Sequence, residues 1–218
     1  MRVATTIALI TGPGEEPVTL DEAKSHLKVS SGDDDAYITA LIAGARIQAE
    51  IFTRRAFLTQ EFEQYMDSFP YAGFHPYRSA ISYSDRARDY FIRLHNPRLQ
   101  TVEFIKYIDQ NGNPTTLDPA NYTVDAVSEP ARICPAFGKF WPPARLVPNA
   151  VTVHFKAGYG DTAAAAIEAE PKFQTVKQAI LFLVAHWYSN REPYVYGQVV
   201  KLPDAFESLL WGHRVLEF

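Results

Sequence analysis

The sequence is short of the residues that build most sites of chemistry. Cys134 is the only cysteine among 218 residues. A disulfide framework within the chain and a cysteine-based metal cluster are therefore excluded. The six histidines, at 26, 75, 95, 154, 186 and 213, show no HExxH or paired spacing. His186 falls in an apolar helical stretch, where a satisfied core histidine is the plainer reading. No phosphate-cradling glycine loop occurs: Gly158-Tyr159-Gly160-Asp161 lacks the Lys-Ser/Thr that would follow. No GxSxG elbow is present either. The longest apolar run, Ala179 to Ala185, is far shorter than the ~20 residues a membrane span needs. MRVATTIALI has one Arg and an apolar run broken by threonines, which is not a signal-peptide layout. Charge of one sign is also lacking. A net charge of -4 gives no global attraction to nucleic acid or anionic membrane, so any DNA contact must come from a local surface.

What is present is a globular composition, 47% hydrophobic and 21% charged, which argues against disorder and allows a sizeable core. The chain is organised around Val18 to Phe57. Thr19 with Glu22 forms a capping box that opens a first helix, with Leu20, Ala23 and Leu27 on its apolar face. Asp33, Asp34 and Asp35 stand at the start of a second helix, where carboxylates cap free N–H groups and oppose the dipole. A metal-binding reading of that triplet lacks the spaced oxygen ligands and later carboxylate of a calcium loop. The second helix carries two apolar stripes. One runs through Ile38, Leu41, Ile42, Ala45, Ala49 and Phe52, the other through Tyr37, Ala40, Gly44, Ile47 and Ile51. Only a strip of Thr39, Ala43, Arg46, Glu50 and Thr53 is left over. Such a helix belongs at the centre of a core or is shared with a neighbouring subunit.

The flanking segments complete an α+β expectation. Residues 1–17 read as an extended arm, with Ile7, Leu9 and Ile10 able to add a strand to a sheet. Residues 18–58 and 165–218 read as a small helical core with a C-terminal tail, and 59–164 as a β-strand-rich insert. Strand patterns cover Glu61–Met66, Tyr90–Leu94, Val102–Ile108, Tyr122–Val127, Arg132–Cys134 and Val151–Phe155. Asp109 to Pro114 is a turn. Phe69 to Tyr90 is a long aromatic and charged excursion, of a length that is often functional; its plainer reading is a loop packed on its own chain or a neighbour. Pro135 to Pro148 holds four prolines and Trp141 and reads as a stiff crossover. A helix after Pro171 presents Phe173, Val176, Ile180, Leu183, Val184 and Trp187, and pairs naturally with the second helix. A short helix opening at Leu202-Pro203-Asp204 precedes an apolar, aromatic terminus.

The order of several fragments resembles a known family. PVTLDEAKSHLKV and DDDAYITALIAGARIQAEIFTRRAF, then LDPANYTVD, RICPAFGKFWPPAR, NAVTVHFKAGYGD and KQAILFLVAHWYSNRE, with Leu202–Val215 at the end, are similar to head–tail connector (adaptor) proteins of long-tailed bacteriophages and gene-transfer particles. Tyr71 to Arg88 and Ala163 to Ala169 depart from that pattern and inherit no role. The resemblance implies a structural virion protein of the neck, assembled in the host cytoplasm, without cofactor, metal or reaction. It implies a ring, typically of twelve copies, beneath the portal protein, extending the DNA channel and receiving a tail-side neck or tail-terminator protein. DNA would pass without sequence-specific binding, and no membrane is involved. On this footing Trp211, His213, Arg214, Val215, Leu216 and Phe218 are the expected portal-docking residues. A head-to-tail ring contact falls to Tyr37, Arg46, Ile47, Glu50 and Ile51. Two other classes stay open: another particle-joining protein, acting in head completion or on the tail side, and a carboxylate-based hydrolase in the β insert.

Overall fold

The structure, a computed structural model, describes residues 5–70, 90–191 and 204–215, together with the backbone of two short strands at 194–195 and 198–199. It is a mixed α+β chain that divides into two compact units, Met1–Gly12 with Gln60–Ala157, and Pro13–Thr59 with Gly158–Phe218. Most of the excursion from 69 to 90, including Tyr71–Arg88, lies outside the described residues, as do Leu202, Leu216 and Phe218.

Among the described residues, the first unit is built of strands with one short 3-10 turn at Pro119–Asn121. Strands β1 (Thr5–Thr11), β2 (Gln60–Met66), β4 (Leu99–Ile108), β5 (Pro114–Thr116) and β8 (Val151–Ala157) form an antiparallel sheet in the order β1-β2-β8-β4-β5. Ile7, Leu9 and Ile10 do add a strand, at the edge beside β2. In β2 and β8 alternate residues are buried, as a period of two requires when one face packs. Phe62 and Phe155 sit opposite each other in register and stack at 5.7 Å between centroids. Buried Gln64 is satisfied: its amide donates to the Arg93 carbonyl at 2.8 Å and its oxygen accepts from the His95 N–H at 3.1 Å. Strands β3 (Ile92–Arg93), β7 (Arg132–Pro135) and β6 (Tyr122–Asp125) make a second, smaller sheet. The turn after β4 forms where Asp109 predicts it, its Oδ1 accepting from the Asn111 and Asn113 N–H groups at 2.8 Å each.

The second unit is mainly helical and combines Pro13–Thr59 with Gly158–Phe218. It contains α1 (Leu20–Leu27), α2 (Asp35–Thr53), α3 (Ala163–Ala169), α4 (Phe173–Ser189), α5 (Asp204–Trp211) and the strand pair β9 (Tyr194–Val195) and β10 (Gln198–Val199). The capping box at Thr19 and Glu22 is formed in both directions. Ile38, Ile42, Ala45 and Ala49 of α2 pack with Val176, Ile180, Leu183 and Val184 of α4 in one core, closed by Phe57, Phe173 and Phe206. Phe57 meets Phe173 edge-on at 5.9 Å. Gly44 is the close-approach point: a Cβ there would lie 3.4 Å from the Trp187 ring. Gly158, at φ +142°, is obligatory in a stronger sense, since a Cβ would sit 2.5 Å from the Leu58 carbonyl carbon.

One local expectation is corrected. Asp33, Asp34 and Asp35 do not cap α2; Asp34 holds the cap position without a side-chain cap hydrogen bond. The carboxylates of Asp34 and Asp35 tie elements together instead, while that of Asp33 accepts from the Ser31 hydroxyl. Asp35 pairs with Lys24 of α1 at 2.6 Å, and Asp34 accepts from the Tyr188 hydroxyl at 2.6 Å and from Arg191 at 3.1 Å.

Candidate docking surfaces

Helix α2 buries only one side. The sequence left Arg46, Glu50 and Thr53 as an outward polar strip, yet Arg46 and Thr53 face the interior and Ile47 and Ile51 face water, at 47% and 65% exposure. The cause is a second carboxylate. Arg46 donates to Glu16 at 2.8 Å as well as to Glu50 at 2.6 Å, which holds the guanidinium inward. Glu50 also accepts from the Phe57 N–H at 3.0 Å, fixing the chain where it leaves the helix. Thr53 satisfies its hydroxyl on the Ala49 carbonyl at 2.8 Å. With Arg46 and Glu50 engaged inside the chain, Ile47 and Ile51, one turn apart beyond exposed Ala40, carry the outward face. Tyr37 is half-buried beside Tyr188, with the Arg191 guanidinium 4.8 Å from its ring. Hydrogen bonding from Tyr188, and then the Arg191 charge, hold the Asp34 carboxyl below its usual range, so it is a carboxylate near neutral pH.

The C-terminal segment is split between inside and outside. Phe206 and Leu210 of α5 are in the core, and Val215 is buried, its N–H donating to the Thr53 carbonyl at 3.0 Å. His213 is also buried, with its Nε2 2.8 Å from the Thr175 hydroxyl and its carbonyl accepting from Arg55. Trp211, 60% exposed, remains available on the surface. The Arg214 guanidinium lies over both Trp211, at 5.3 Å, and Phe52, at 5.6 Å. Of the four expected docking residues that the structure describes, Trp211 is exposed with half-buried Arg214 over its ring, and His213 and Val215 seat the segment.

Burial, and then the neighbouring Arg55 charge, push the His213 imidazole below its ordinary value near 6.5. The unfolded chain therefore takes up a proton first as pH falls. The stabilisation is complete above about 6.5 and is lost as pH drops through that value toward the lower folded-state one. The Tm of the wild-type chain is expected to fall more steeply between pH 7 and pH 5 than that of His213→Gln, measured by circular dichroism. Parallel slopes would contradict this reading of the site.

A groove of about 620 Å³ between α1 and α4 is lined by Asp21, Glu22, His26, Lys177 and Leu181 among others. Glu22 accepts there from Lys177 at 2.6 Å and from the Thr19 N–H at 2.9 Å, so its carboxylate is engaged in structural contacts. Among the described residues no three His, Cys, Asp or Glu side chains converge as a metal site requires. The sequence reading missed another apolar feature, in the first unit. Phe137, Phe140 and Leu146 of the β7–β8 crossover are 84% exposed or more. Four prolines signalled only stiffness, and no periodicity marked which side chains point outward.

Comparison with known proteins gives a family match and matches to solved structures. Residues 17–73, spanning α1, α2 and β2, match the sequence model of the family described as phage gp6-like head-tail connector protein. Over its whole length the chain is similar to chains in structures of gene transfer agent particles. One is from the neck of an empty particle computed with C6 symmetry, with a TM-score of 0.71, 17% identity and coverage of 98% of this chain and 97% of that chain. A second is from the virion of a native particle, with a TM-score of 0.70 at the same identity and coverage. A third is from the neck of a native particle computed with C12 symmetry, with a TM-score of 0.63, 18% identity and the same coverage. No curated protein sequence matches the chain at a significant level. Residues 17–73 are thus similar to the phage gp6-like head-tail connector family, and the fold is similar to that of chains in the neck and virion of gene transfer agent particles.

Proposed function

We propose that this chain is a structural head–tail connector, or adaptor, of a virion neck. It forms a ring of twelve copies under the portal protein, extends the DNA channel, and presents its far side to a tail-side neck or tail-terminator protein. The family match on α1 and α2 carries this reading, because it falls on the helix that leaves Ile47 and Ile51 facing outward. A ring of one kind of chain needs a head-to-tail contact between two different surfaces. The outward stripe of α2 is the first of them. Trp211 and Arg214 supply an aromatic and a guanidinium together, the residue types that dominate binding energy at interfaces, and we assign them to the portal. DNA passes through without sequence-specific contact, and the role involves no reaction.

The test is co-purification of the full chain with the tagged portal protein of its own particle. The wild-type chain is expected to be retained, and the Trp211→Ala, Arg214→Ala double variant to be lost from the complex while melting like wild type. Retention of the double variant would move the portal contact elsewhere. Binding to a tail protein but never to portal would support the second reading, a tail-side joining protein.

A further inference from the structure

The β7–β8 crossover is built to hold apolar side chains in water. Phe137 is wholly exposed, Phe140 is 84% exposed and Leu146 is 86% exposed. The loop is not loose. Gly138, at φ +73°, closes a turn in which the Lys139 N–H donates to the Ala136 carbonyl at 2.9 Å, leaving Phe137 at the corner. Trp141 faces inward, stacked on Phe69 at 4.9 Å, with its indole N–H donating to the Tyr90 carbonyl at 3.2 Å. Beyond Pro142 and Pro143 the Ala144 carbonyl accepts from Gln110 at 2.9 Å, and the Arg145 N–H donates to the Ile108 carbonyl at 2.9 Å. The segment is thus anchored on both sides of the exposed rings. A preorganised loop of this kind loses little conformational freedom when it binds.

We infer that this crossover is a docking hook for a second copy of the chain, with Phe137, Phe140 and Leu146 seated on the outward Ile47–Ile51 face of the neighbour's α2. The inference rests on the ring reading above and names its second surface. The two features are different surfaces, one in the β unit and one in the helical unit, and a head-to-tail contact between identical chains joins two different surfaces. Charge fits the same pairing. The β unit holds 11 Lys and Arg against 10 Asp and Glu, and the helical unit 10 against 15. From Pro130 to Gly160 the sequence has cations and no acid, and exposed Lys139 and Arg145 flank the hook. A cationic hook approaching an acidic unit is favoured over two like units meeting.

The experiment uses the full chain co-expressed with the portal protein of its own particle, in a Cys134→Ser background. Phe140→Cys and Ile51→Cys are introduced together and singly, and the complexes are treated with a short bismaleimide. The double variant is expected to give a ladder of covalent multimers, and each single variant none. In parallel, Phe137→Ser with Phe140→Ser is expected to melt like wild type and to lose ring formation on the portal. Rings without a ladder, formed equally by the double serine variant, would overturn the hook while leaving the connector reading intact. Rings that form normally with the double serine variant but no longer join tails would reassign the loop to a tail-side partner, and overturn it too. If the wild-type chain makes no ring on the portal, the connector reading itself fails and the hook falls with it.

Discussion

Arg46→Glu is expected to unfold the helical unit, not merely to free one chain from its neighbour. The Arg46 side chain is only 10% exposed and lies between Glu16 and Glu50. Removing one partner from a buried ion pair costs ~3–5 kcal/mol, because a charge is left buried without compensation. Reversal goes further and places three carboxylates together, two of them at positions no more than 14% exposed. Domains are stable by only ~5–15 kcal/mol, so this one change is of the same order as the whole margin. The expected observation is loss of the cooperative melt. Neutralising all three positions, as Arg46→Met with Glu16→Gln and Glu50→Gln, is expected to restore most of it, since replacing a whole buried pair is far milder than breaking it. An Arg46→Glu chain that melted like wild type would show that the pair is not buried as described.

Ile47→Asp with Ile51→Asp is the complementary change, expected to spare the fold and abolish assembly. Both side chains face water in the single chain, and surface substitutions usually alter stability by less than ~0.5 kcal/mol. In the ring each would be buried. The contact would lose ~1.5–3 kcal/mol for each isoleucine and would also have to desolvate two carboxylates. A tenfold change in affinity corresponds to ~1.4 kcal/mol, so each subunit contact is weakened by several powers of ten. Sedimentation and imaging of portal complexes should find the double variant folded and monomeric. Rings at the wild-type yield would remove α2 from the interface.

These two variants mark where the sequence was legible and where it stopped. The two apolar stripes of α2 were plain, but not which of them the chain would cover for itself. Glu16 decides that, from 30 positions away, by drawing Arg46 inward. Thr53 reads as polar surface until its hydroxyl is seen bonded to the preceding turn. The strands of the β unit followed from alternation, most clearly in β2 and β8. Their order in the sheet did not, because β2 pairs with β8, some ninety residues later, and periodicity is silent about partners. The acidic triplet at 33–35 carried an N-cap signal, but the carboxylates of Asp34 and Asp35 instead bind partners on α1 and α4 and Arg191 beyond α4. In the proline-rich crossover, nothing local distinguishes Trp141, which turns in, from Phe140, which turns out.

Everything proposed here depends on copies of this chain closing into a ring on a portal. Electron microscopy of the wild-type chain co-purified with the portal protein of its own particle tests it most directly. The expected image is a twelve-membered ring stacked coaxially on the portal, with the helical unit of each copy against the β unit of the next. A folded monomer that leaves the portal bare, or decorates it without closing, would rule the ring out.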